Sequence, residues 1–265
     1  MQRLAFGAGK YATLAVMTGL LIPSVARADE FRCGGSGASV SAAIPPSLLA
    51  TANINGALTN VSQCIITDGK QSSLTATIFS PFATVEIRAL MNADPFITFG
   101  ATTTNLIPGP TTFAFLFGTP IVPGLYSAAT STGGVSVTDG AGGSTTVATS
   151  AIYPKFISGY GTLGLVPTNL GVDLGTSPCV ASGLPFTVTT TCNQGSTSST
   201  FAPTLYDNLE ALLTYTQNDT ASIASWSGAV TIGTAPPRVP EPTSLTLVAT
   251  GALLTLVQFA RRRRH

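Results

Sequence analysis

Thr84-Val85-Glu86-Ile87-Arg88-Ala89-Leu90-Met91 is the stretch whose reading decides the fold. Val85, Ile87, Ala89 and Met91 fall on one side of an extended chain, and Thr84, Glu86 and Arg88 on the other. This is the period of two of a half-buried strand. Outward from this stretch the pattern recurs in Leu74 to Phe79, Phe96 to Phe99, Phe186 to Thr191 and Ala229 to Ile232. Phe113 to Phe117 is apolar on both sides, as in a strand buried between two layers. Val135 to Thr138 alternates, enters Asp139-Gly140-Ala141-Gly142-Gly143 and returns as Ser144 to Ser150, which predicts a hairpin with a Gly-rich loop. The chain has 27 glycines and 18 prolines, which would break long helices repeatedly. Leu205, Leu209, Leu212 and Leu213 have helical spacing. The same segment also places Leu209, Ala211, Leu213 and Tyr215 on one face of a strand, and β-prone Thr214 to Thr216 favours the strand. Many short strands between frequent turns predict an all-β domain, a β-sandwich or jelly roll.

The two ends do not follow this pattern. Residues 1–28 read as a signal peptide. Arg3 and Lys10 are its positive region, and Tyr11 to Ile22 is an apolar run of 12 residues, short for a membrane span. Ala26 and Ala28 are the small residues read by signal peptidase, which predicts a mature start at Asp29. At the other end Val239-Pro240-Glu241-Pro242 leads into the uncharged residues 243–260, then Arg261-Arg262-Arg263-Arg264 and His265. As a helix, 243–260 would be about 27 Å long, just enough to cross a bilayer core of about 30 Å. The four arginines favour the cytoplasmic face, which leaves Pro240 and Pro242 outside in an extended, accessible segment. The alternative for this tail is a plain membrane anchor with a Pro-rich lead-in.

Motif, span and arginine run, in that order at the C-terminus, resemble the sorting signal of PEP-CTERM proteins. These are exported bacterial proteins processed by the membrane enzyme exosortase. Asp94-Pro95-Phe96 and the stretch to Thr119-Pro120-Ile121-Val122-Pro123 are loosely similar to passenger segments of that family. The resemblance implies signal peptidase and exosortase as processing partners, and a membrane-held precursor. It also implies a final place at the cell surface or in the exopolysaccharide matrix. The domain plan is then a signal peptide 1–28, a passenger 29–238 and a sorting signal 239–265.

The passenger is mildly acidic. Its ten acids exceed its five bases (Arg32, Lys70, Arg88, Lys155 and Arg238) by five. The near-neutral whole-chain charge comes from the ends, and so poor a basic complement argues against a nucleic-acid partner. Cys33, Cys64, Cys179 and Cys192 are an even set suited to disulfides in an oxidising compartment. Local pairing, Cys33 with Cys64 and Cys179 with Cys192, is the simplest of three arrangements. No Cys-x-x-Cys pair points to a metal.

The one histidine is His265, so the passenger has no residue for a Ser-His-Asp or Cys-His triad and none for a His-ligated metal. Gly159-Tyr160-Gly161-Thr162-Leu163-Gly164 matches a dinucleotide fingerprint as text, but Pro167 follows where a helix is needed, and the segment reads as a loop. Asp207 with Glu210, or Asp94 with Asp139, are the carboxylate pairs a glycosidase would use. Both pairs read as solvated surface acids. Asn92 with Asp94, or Asp139 alone, does not make a calcium loop. Trp226, Tyr206 and Tyr215 could stack on a sugar, though core aromatics are the simpler reading. No cofactor or metal site is expected. The leading expectation is a non-enzymatic surface or matrix protein. The alternative is a carbohydrate-binding module, and the second alternative is a glycoside hydrolase.

Overall fold

The computed structural model describes residues 30–34, 48–164 and 166–234. The expected signal peptide with Ala26 and Ala28, the Val239–Pro242 motif, the expected span 243–260 and Arg261 to Arg264 lie outside the described residues. Among the described residues no helix is long and apolar enough to cross a membrane.

The described residues are all-β. Fourteen strands form one continuous antiparallel sheet that doubles over into two layers. The front layer starts from β1 (Glu30–Cys33) and β4 (Ile65–Asp68). Both pair with β5 (Gln71–Phe79), followed by β6 (Ala83–Asn92), β7 (Phe96–Asn105) and β14 (Ile223–Gly233). The back layer holds β2 (Leu49–Ile54) with β3 (Ala57–Asn60), β10 (Ile157–Leu163) with β11 (Val166–Asn169), and β9 (Gly143–Ala148) with β12 (Cys179–Gly183). Two very long strands, β8 (Thr111–Thr138) and β13 (Thr189–Gln217), belong to both layers. The first half of β8 pairs with β2 in the back, and its second half pairs with β14 in the front. The crossing falls at Pro120, Pro123 and Gly124, opposite register shifts at Thr200/Thr204 and Tyr206/Asn208 of β13. Prolines cannot donate to the ladder and bulges bend it, so the strands turn the corner there.

The alternation in β6 is as the sequence predicts: Val85, Ile87, Ala89 and Met91 are buried, and Glu86 and Arg88 are exposed. Opposite them, Phe113, Phe115 and Phe117 of β8 face inward. Their other face is partly open at Leu116, since only two layers exist. The layers meet through rings: Phe99 stacks on Phe117 at 5.3 Å, and Trp226 lies 5.3 Å from Tyr215 and 4.9 Å from Phe156. The segment with ambiguous spacing is strand, with Leu209, Ala211, Leu213 and Tyr215 all wholly buried. Disulfides join Cys33 to Cys64 and Cys179 to Cys192.

Two expectations are corrected. Strand β9 does not form a hairpin with β8, because Thr138 is already paired on both sides, with Ile223 and with Thr189. The chain instead crosses to the back layer, where β9 pairs with β12 and the end of β13. The Gly159–Leu163 segment is a strand rather than a loop. Its glycines are required by packing: a Cβ on Gly159 would meet Val172 at 2.8 Å, and one on Gly161 would meet Tyr206 at 2.8 Å.

Candidate functional site

Of the carboxylate pairs named from sequence, Asp94 and Asp139 lie near opposite ends of β7, while Asp207 and Glu210 both bond to the end of β10. Asp207 accepts the Gly164 amide, while Glu210 accepts the Thr162 hydroxyl and the Asn208 amide. Burial raises the Glu210 carboxyl above its usual range, and these two hydrogen bonds oppose the rise. Asp94 lies exposed in the β6–β7 turn, 3.6 Å from Lys70. Asp139 follows β8 near the far end of β7 and is wholly buried, which corrects its reading as a solvated surface acid. Trp226, Tyr206 and Tyr215 are core rings, as their simpler reading had it. Among the described residues no three His, Cys, Asp or Glu side chains cluster to hold a metal ion.

The front layer has a different kind of surface on its outer face. Cross-strand register aligns hydroxyls in rows across β7, β14, β8 and β13. Thr102 lies 3.2 Å from Ser225, and Ser136 lies 2.9 Å from Thr191. Thr138 pairs with Thr189 at 2.8 Å, and Thr130 pairs with Thr231. One row is different: Thr75, Arg88, Gly100, Ser227, Gly134 and Asn193 are successive neighbours from β5 to β13. At its middle the floor is Gly100, Ser227 and Gly134, with hydroxyl rows on either side. This makes a trough running across the strands. Six strands at about 4.8 Å give it a length of about 24 Å. Its two parts enclose about 780 Å³ over β14, β8 and β13, and about 290 Å³ over β5, β6 and β7. A further recess of about 510 Å³ beside Lys155 and Asp173 shares Asn193 with it.

The glycines of this sheet fall into two groups. Gly228 must be glycine, since a Cβ there would lie 2.6 Å from the Phe99 ring, and a Cβ on Gly133 would run into Ile157. Gly100 and Gly134 face outward and are less tightly constrained. A Cβ on Gly100 meets just the Trp226 carbonyl oxygen at 3.3 Å. A Cβ on Gly134 meets the Cys192 carbonyl oxygen at 3.3 Å, and neither glycine has a left-handed φ. Glycine inside a strand costs about 0.5–1 kcal/mol and marks a bulge or a place where something approaches the backbone closely. Gly134 lies opposite the register shift at Asn193/Gly195, whereas Gly100 lies within regular pairing. Sequence reading missed this site. The signal present was Gly100 and Gly134 inside alternating segments, but only the register puts them in one row, on either side of Ser227.

No protein-family model and no curated protein sequence matches this chain. Among solved structures it is similar to a carbohydrate-binding module, TmCBM61, in complex with β-1,4-galactotriose. That match has 6% identity and a TM-score of 0.22, over 59% of this chain and 90% of that one. It is also similar to a family 11 carbohydrate-binding module from Clostridium thermocellum in complex with a β-1,3-1,4-mixed-linked tetrasaccharide. There the identity is 10% and the TM-score 0.23, over 64% of this chain and 95% of that one. A third such structure, a CBM4 module, has 13% identity and a TM-score of 0.20, over 51% and 70%. TM-scores this low assign neither a fold family nor a ligand to this chain.

Proposed function

We propose that this chain is an exported, non-catalytic binding protein of the cell surface or extracellular matrix, and that its passenger holds a neutral polysaccharide in the front-layer trough. The carrying observation is the cross-strand row in which Gly100 and Gly134, on either side of Ser227, leave the floor open between rows of hydroxyls. Serine and threonine hydroxyls both donate and accept, as sugar hydroxyls do. The lining is nearly uncharged, with Arg88 near one end, which suits a neutral chain. No aromatic ring lines the part of the trough floored by Ser227 and Gly134. Grip there would come from hydrogen bonds and from close approach to the backbone. The proposal includes no bond-breaking step. Export is supported by the N-terminal sequence and by the disulfides, which persist in oxidising compartments. Sorting by exosortase is supported by the Val239–Pro242 motif, the apolar segment 243–260 and the arginine run.

The test is the variant Gly134→Val in the mature exported protein. A valine side chain fills the floor and has the higher strand propensity, set against the approach of its Cβ to the Cys192 carbonyl oxygen at 3.3 Å, and urea unfolding checks that the variant is folded. Retardation in gels containing neutral polysaccharide extracted from the producing cells should be saturable for wild type and fall at least about tenfold for the variant, a loss of about 1.4 kcal/mol. Equal retardation of the two proteins, or no retardation of either, would show that the trough is not a glycan site.

A further inference from the structure

The Asp139 carboxyl is buried with one oxygen unsatisfied. It has no solvent exposure, and its Oδ2 has no hydrogen-bond partner. Its Oδ1 accepts the Gly142 amide at 3.0 Å and lies 3.4 Å from the Thr145 hydroxyl oxygen. That same hydroxyl lies 3.2 Å from Oδ2 of Asp219, whose Oδ1 accepts the Thr220 amide. One hydroxyl has one proton and can donate to one of the two carboxylates. The other carboxylate then faces a lone pair. No Lys or Arg forms an ion pair with Asp139 or Asp219 among the described residues. Two acids packed on one neutral oxygen without a counter-charge would destabilise the fold.

We propose that Asp139, Thr145 and Asp219 bind a divalent cation, calcium, which ties the loop after β8 to the β13–β14 turn. The donors are all oxygens, as a hard cation requires, and a hydroxyl with two carboxylates suits calcium, which accepts irregular sets completed by carbonyls and water. The two loops are already held together. Gly140 packs against the Ala221 carbonyl so closely that no side chain fits. The Asn218 amide of that turn donates to the Thr146 carbonyl of β9, the strand the loop leads into. Asn105 and Ser222 donate to the Asp219 carbonyl, which fixes that turn from the other side. The site rests on a carboxylate with an unpartnered oxygen and not on the glycan trough, so either can fail alone. Thr145 lies 6 residues from Asp139 in sequence, and Asp219 lies 74 beyond Thr145, which is why no contiguous calcium loop announces the site.

The test uses mature exported protein stripped with chelator and titrated with calcium chloride by calorimetry, alongside thermal melting. One saturable site per chain is expected, with a dissociation constant no weaker than the ~10⁻³ M of extracellular calcium modules. Melting should shift upward by a few degrees with calcium and back with EDTA. Asp219→Asn should lose about tenfold or more in affinity and keep or raise its melting temperature in EDTA, because it removes one of two opposed charges. If that variant does not fold, the wild-type titration alone decides. No heat and no melting shift in wild type at several millimolar calcium overturns the proposal. So does an Asp219→Asn variant with wild-type affinity.

Discussion

Thr103 shows how a polar side chain is held inside this core. It is wholly buried on the inward face of β7, donates to Oε1 of Gln217 at 2.7 Å and accepts from the Tyr215 hydroxyl at 2.9 Å. Burial holds the Tyr215 hydroxyl far above its usual range, so it stays protonated as a donor. Thr103→Val keeps the shape but leaves two buried groups unpaired. The expected loss is about 3 kcal/mol by urea unfolding, since each unsatisfied group costs about 1–3 kcal/mol. Glu210 gives a pH signature. Its folded-state value is raised above 4.5, chiefly by burial, so the folded protein favours the neutral form. The stabilising contribution is present below the unfolded value and is lost as pH rises through the folded one. Glu210→Gln should therefore change stability little at about pH 4 and increase it at about pH 7, as read by urea midpoints at the two pH values. A gain of equal size at both would contradict the burial origin of the shift. The trough residues were not legible in the sequence for a related reason. Gly100 and Gly134 are ordinary strand glycines until their neighbours are known.

At the scale of elements, β13 carries the greatest liability. Its first part, Thr189 to Thr200, pairs with β8 on one side and with no strand on the other. Unpaired edges invite other strands, and the register shift at Asn193/Gly195 interrupts this one. The Cys179–Cys192 bond ties this edge to β12. Replacing both cysteines with serine should cost about 2–3 kcal/mol for a closed loop of this size. It should also raise hydrogen exchange between Thr189 and Thr200 more than in β6. Uniform exchange across the two strands would show that the bond does not hold the edge in place. The alternation in β5, β6 and β7 was legible because one face of each meets the core. The β8–β9 connection was not, since a Gly-rich loop between two strands looks like a hairpin whether or not the first strand already has both partners.

At the scale of the whole molecule, the chain divides by charge as well as by pattern. The acidic, lysine-poor passenger lies between basic ends. The sorting proposal is tested on the intact precursor in a host with exosortase. Replacing Pro240, Glu241 and Pro242 with Ala leaves the apolar span, so insertion should continue while uncleaved precursor accumulates in the inner membrane. Replacing Arg261 to Arg264 with Ser removes the charges that favour the cytoplasmic side, so orientation or retention should fail instead. Blots of membrane and released fractions separate these outcomes. A Pro-Glu-Pro variant indistinguishable from wild type leaves a plain anchor as the reading of the tail.

The sequence by itself determined that the passenger is all-β, which residues of β6 and of the second half of β13 face the core, and that no histidine-based chemistry is available to it. These properties follow from residue type and a period of two, which act locally. The tertiary structure alone decided which strands are neighbours, and with that the two-layer path of β8 and β13. It also decided the cross-strand row that becomes the trough and the meeting of Asp139 with Asp219. Register and crossover are set by the sum of many weak pair contacts between distant segments, and no local pattern encodes that sum.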